Sequence, residues 1–91
     1  MGRPLRLVDD GLTYHTDALA IATDIGDQDQ QARADTGIGR AHHALGDPAR
    51  ARHHYQLALN RYTDLGSPTD DTRALLSALD GPPDADGSQR D

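Results

Sequence analysis

The sequence predicts an all-α fold, and three observations carry that prediction. Apolar residues recur at steps of three and four through successive segments. Gly-Asp or Gly-Ser punctuation separates those segments, and none alternates apolar and polar residues over the length of a strand. Four helices joined by turns of about two to four residues must lie antiparallel to their neighbours.

The first helix is read between Leu5 and Ile25, where Leu12, His15, Ala18, Leu19, Ala22 and Ile25 fall on one face. Gly26 stops it, Asp27 supplies the next N-cap, and Gln30 stands three residues on, the spacing of a reciprocal capping box. A second helix follows from about Gln28 to Ala44. The next break is Gly46-Asp47-Pro48: a left-handed cap, an acceptor for the following turn, and a first helical position that needs no N–H donor. A third helix, roughly Pro48 to Leu65, has the face Ala51, Tyr55, Ala58, Leu59, Tyr62 and Leu65. Gly66-Ser67-Pro68 repeats the punctuation, so a short fourth helix is expected over 68–79, capped by Ser67, with Asp70 in its first turn and Leu75, Leu76 and Leu79 to bury. Residues 80–91, rich in Asp, Gly and Pro, have almost nothing to bury and read as a disordered tail.

Composition limits what such a domain can do. With 91 residues it is near the size at which one core is only marginally able to hold a fold. Only 35% of residues are hydrophobic, with no Trp or Phe and three Tyr, so the core must be built of Ala, Leu and Ile. The absence of cysteine excludes a disulfide framework and thiolate-based zinc or redox chemistry. Nine Arg against fifteen Asp give a net charge of -6 and a pI near 5.1, which disfavours direct contact with nucleic acid or an anionic membrane. The first ten residues lack the apolar stretch of a secretory signal, so a cytoplasmic location is expected. The exclusive use of Arg and Asp, with no Lys or Glu, carries no functional reading.

The chain also resembles itself. Shifted by 40 residues, the run from Ala18 to Gly26 lies on the run from Ala58 to Gly66, with Ala, Leu, Thr, Asp and Gly coincident and Ile25 against Leu65. The same shift sets Arg33-Ala34 on Arg73-Ala74, Gly11 on Ala51 and His15 on Tyr55. Within the middle unit, Ile38, Gly39, His42, Gly46-Asp47, Ala51, Tyr55 and Ala58 form a pattern of large, small and aromatic residues. That pattern resembles the tetratricopeptide repeat. Its small positions are where neighbouring helices come closest, and the aromatic fills the gap between them.

The resemblance implies antiparallel helical hairpins stacked into a right-handed solenoid. On this reading a half-repeat covers 5–26, a full repeat 28–66 and a capping helix 68–79. The 40-residue spacing is similar to that of a long-helix variant found in signalling adaptors and in arrays attached to bacterial transcriptional regulators. His42 stands where Tyr is usual, and Gly37 adds a second flexible residue that costs about 1 kcal/mol in a helix interior. Such repeats need about three units for stability, so the chain is expected either to be the end of a longer array or to complete its core as a homodimer.

Candidate sites follow from this geometry. His42-His43 and His53-His54 are adjacent pairs whose members point about 100° apart, so neither pair chelates as an i, i+4 pair would. The expectation is that His42 and His15 are core residues, that His53 is solvated, and that no metal or other cofactor is bound. No phosphate loop, HExxH or cysteine nucleophile is present, and no catalytic residue is assigned. What remains is a surface. In the family the first helix of each repeat lines a concave groove, and its exposed stripe here is Arg33, Thr36, Arg40 and His43, with Arg73 equivalent to Arg33. These residues suit the carboxylates of an acidic peptide, unless Asp29, Asp35 or Asp47 already pairs with them. The resemblance implies a non-catalytic protein–protein interaction module, the terminal part of a scaffold or regulator. The alternative is the regulatory segment of a transcriptional regulator whose DNA-binding domain lies elsewhere.

Overall fold

The computed structural model describes residues 6–80. Helix α1 (Arg6–Ile25) packs on α2 (Gln28–Ala44), α2 on α3 (Pro48–Leu65) and α3 on α4 (Asp70–Leu79). Each helix meets the next in sequence, which is the order of a helical repeat array, and no strand occurs among the described residues. None of these helices is long and apolar enough to cross a membrane. The tail expected over 80–91 lies, Asp80 apart, outside the described residues.

The three joints close their helices in the same way. Gly26, Gly46 and Gly66 have φ of 72°, 83° and 71°, a left-handed conformation that only a residue without Cβ adopts freely. In each joint the Gly N–H donates to the carbonyl three residues back, and the next N–H donates to the one five back. Asp27 thus reaches Ala22 at 2.9 Å, Asp47 reaches His42 at 2.9 Å and Ser67 reaches Tyr62 at 2.9 Å. Asp27 and Asp47 then turn their carboxylates forward and accept from the N–H groups of Gln30 and Arg50, both at 3.1 Å. A cap of this kind contributes about 1 kcal/mol.

The third joint departs from expectation. Ser67 makes no side-chain cap, and α4 starts at Asp70 rather than Pro68. The shorter, uncharged serine replaces the aspartate that spans the other two joints. The residue before α4, Thr69, has its hydroxyl taken by Arg73 Nε at 3.0 Å instead of a backbone N–H. Asp70 and Asp71 supply the favourable negative charge of the first turn.

The core is made of small residues closed by one large ring. Ala22, Ala32, Ala34, Ile38, Ala41, Ala51 and Ala58 are buried, and so is the whole of Tyr55. That ring lies directly over Gly39 of α2, where an added Cβ would come within 2.5 Å of Tyr55 Cδ1 and Cε1 and 3.2 Å of the Ala51 carbonyl. On the other flank of α2 the His15 ring of α1 fills the space beside Gly37 in the same manner. Gly37 is therefore a close-approach residue and not merely a flexible one. Gly46 differs from both: a Cβ there would meet nothing within 4 Å, so its contribution is the turn and not the packing expected of it.

Two further expectations need correction. His42 does not enter the core; it is half-buried and stacks on His54 of α3, with ring centroids 5.7 Å apart and planes at 18°. Ile25 and Leu65 are 68% and 43% exposed. Ile25 follows buried Ala22 by three residues and so lies about 60° round the helix, on a flank turned away from α2.

Candidate peptide-binding groove

Three positions on the outward face of α2, spaced three and four apart, meet elements of α3 and α4. Between α2 and α4 lies a cleft of about 480 Å³, bordered by Asp29, Arg33, Thr36 and Arg40 on one side and by Asp71, Thr72 and Leu75 on the other. A second cleft of about 310 Å³ is bordered by Arg40, His43, Ala44, Tyr55 and Leu75. A third, of about 230 Å³ where α1 meets α2, is lined by Gly11, His15, Gly37 and again Arg40. Arg40 is the residue shared by all three.

The members of the expected stripe are not equivalent. Arg33 is paired with Asp29, Nε to Oδ2 at 3.0 Å, across one helical turn. Thr36 turns its hydroxyl back onto its own helix and donates to the Ala32 carbonyl at 2.9 Å. Arg40 is exposed and has no carboxylate partner among the described residues, and His43 is exposed beside the second cleft. Arg73 borders none of the three clefts; its Nε donates to the Thr69 hydroxyl at 3.0 Å. Of the expected carboxylate partners, Asp47 pairs with Arg50 at 3.6 Å on the next helix.

Tyr55, which borders the second cleft, carries a polar group that sequence reasoning missed. The Tyr55 hydroxyl is buried and has no hydrogen-bond partner. Leaving such a group unpaired costs about 1–3 kcal/mol. Burial pushes its pKa above the ordinary 10, while the nearby Arg40 charge works in the opposite direction. The sequence read Tyr55 as a packing residue, which it is, but gave no sign that its polar end would be buried without a partner.

A second polar cluster lies within the α2–α3 joint. Asp35, wholly buried, accepts from Arg61 Nε at 3.2 Å and meets His54 Nδ1 at 3.0 Å. Arg61 also donates to Gln31, whose amide reaches the Ala22 carbonyl at 3.3 Å and so ties the end of α1 to the pair. Asp35 therefore faces away from the groove arginines that the sequence offered it as partners. The available signal was its position: Gln31, Asp35 and Ile38 follow i, i+4, i+7 on the face that α2 buries. His42, stacked above His54, has its pKa lowered from 6.5, first by burial and next by the His54 charge; Arg50 adds to this and Asp47 opposes it. His53 is exposed and meets the His54 ring edge-on at 5.1 Å. Among the described residues no three His, Asp, Glu or Cys side chains converge as metal ligands.

The comparisons with known proteins agree with this architecture. The family model described as Tetratricopeptide repeat matches residues 5–64, well over half of the chain. Neither a curated protein nor a solved structure matches it. Small residues at the helix contacts, an aromatic ring over Gly39 and helices packed in sequence order are what that match leads one to expect. The chain belongs to the tetratricopeptide repeat family, whose repeats generally serve as protein-interaction modules.

Proposed function

We propose that this domain is the recognition arm of a scaffold or regulator, and that its groove holds an acidic segment of a partner protein with Arg40 as the anchoring cation. The observation that carries this reading is an Arg40 without a carboxylate partner among the described residues on the rim of the second cleft. That cleft has no carboxylate in its lining, whereas the larger one includes Asp29 and Asp71. An incoming carboxylate oxygen would accept from Arg40, with His43 as a further donor at the rim. Each charge-assisted bond of this kind contributes about 1.5–3 kcal/mol. Arg33 and Thr36 extend the same wall, and Arg73, engaged with Thr69, stands outside the proposed contact set.

The test is a calorimetric titration with a Glu-rich peptide carrying a free C-terminal carboxylate, against the same peptide with Gln for Glu and an amidated end. The acidic peptide is expected to bind and the neutral one not to. Arg40→Ala should weaken binding about 10-fold or more, equivalent to about 1.4 kcal/mol. Arg33→Ala should weaken it less, because Asp29 already meets that charge. Tyr55→Phe should leave both binding and stability in place, since the hydroxyl it removes is buried, has no partner and is out of reach of the peptide. Undiminished binding by Arg40→Ala would move the site elsewhere.

A further inference from the structure

Helix α1 carries a stripe that the groove does not use. Tyr14, Ile21 and Ile25 are 69%, 62% and 68% exposed, three of the most open large apolar side chains of the described residues. At i, i+7 and i+11 they fall within about 40° of one another around the helix. Half-buried Ala18 lies among them, so the stripe is continuous. None of the three borders the clefts around Arg40.

The corresponding face of α3 shows what such a surface does. α1 and α3 end 40 residues apart on the same glycine turn, at Ile25 and Leu65. On α3, His54 and Arg61 reach back to Asp35 and grip the helix that precedes them. Forty residues earlier the same two positions are Tyr14 and Ile21. α1 therefore presents to solvent the face with which α3 holds α2. On α3 this face is polar because its neighbour offers a buried carboxylate. On α1 it is apolar, and the surface that matches it must be apolar too.

The edge of the stripe selects the occupant. Asp17 and Asp24 follow Tyr14 and Ile21 by three residues and line one side of it; both are exposed, and neither is paired with a cation among the described residues. From Gly11 to Ile25 the helix has no Arg. Antiparallel pairing of two copies through this face would be isologous and would set one acidic edge along the other in a chain that already carries a net charge of -6. A helix with Lys or Arg beside its apolar residues would meet the same edge with opposite charge. We propose that the Tyr14–Ile21–Ile25 face of α1 docks an amphipathic helix of a partner protein, apolar at i, i+3 or i+4 and i+7 and basic along one edge. Its charge preference is the reverse of the groove's.

The experiment uses two labelled synthetic helices matched to the 20 residues of α1. They share one Leu stripe, and one has a Lys edge where the other has Glu. Fluorescence anisotropy should show the Lys-edged helix binding about 10-fold or more tighter than the other, a difference that shrinks as salt screens the contact. Tyr14→Ser with Ile21→Ser should abolish binding with the far-UV circular dichroism unchanged, because both side chains are exposed. Asp17→Asn with Asp24→Asn should remove the preference for Lys over Glu. Equal binding of the two helices, or full binding by the Tyr14/Ile21 variant, overturns the proposal. So does a dimer in sedimentation that Ile21→Ser dissociates, which would make a second copy the occupant.

Discussion

Replacing Gly39 by alanine tests whether the small-residue contact under Tyr55 sets the spacing of α2 and α3. The substitution has two opposed effects. In a helix interior alanine is favoured over glycine by about 1 kcal/mol. The new methyl would come within 2.5 Å of two Tyr55 ring carbons, with the Ala51 carbonyl 3.2 Å away on the same side. The ring is wholly buried and cannot swing into solvent, so the helices must separate, and overpacking of this kind costs about 1–3 kcal/mol. The gap already lies in contact with backbone, which puts the cost towards the top of that range and leaves a net loss of roughly 1–2 kcal/mol. For a domain of this size that is a fall in Tm of roughly 5–15 °C. Gly37→Ala is the control. It meets the His15 ring instead, but His15 is half-buried and able to rotate outward, so the helix-propensity gain offsets most of the strain. Thermal and urea denaturation followed by circular dichroism on both variants decides the matter. A Gly39→Ala protein as stable as the parent, or a Gly37→Ala protein that loses as much, would refute the argument that ring burial controls the spacing.

The other predictions concern the polar joint. Asp35→Ala takes the shared carboxylate from His54 and Arg61 and should cost about 1.5–3 kcal/mol, against little change for Asp64→Ala on the exposed face of α3; equal effects in urea denaturation would show that Asp35 is not the keystone of the joint. Asp35→Asn keeps the shape but loses the charge, and should fall between the two. His42 titrates below its ordinary 6.5 in the folded chain, so the unfolded chain binds its proton first. Stability from this residue is therefore complete above about pH 6.5 and is lost as the pH falls towards the lowered folded pKa. Replacing it by Gln should flatten the pH dependence of the urea midpoint across that window, and an unchanged slope would assign the dependence to other groups.

The sequence by itself determined that there are four helices, and it determined the first two joints; the third, where Ser67 was expected to cap, it did not. Gly26, Gly46 and Gly66 with Asp27 and Asp47 act on backbone groups a few residues away, so their meaning is legible from spacing alone. The 3.6-residue periodicity named Ala22, Ala51, Ala58 and Tyr55 for the same reason, though not Ala32, Ala34 and Ala41 of α2, and it placed Arg33, Thr36, Arg40 and His43 on one face of α2. It failed where the determinant was another helix. Whether an arginine on that face is free depends on a carboxylate at hydrogen-bonding distance, which separates Arg40 from Arg33. Whether Asp35 is solvated or buried depends on two residues of α3, 19 and 26 positions away. Ile25 read as part of the buried face of α1 until the packing left it uncovered. Local backbone energetics writes secondary structure into neighbouring residues. Charge pairing and burial are properties of surfaces assembled from distant ones, and only the tertiary structure decided them.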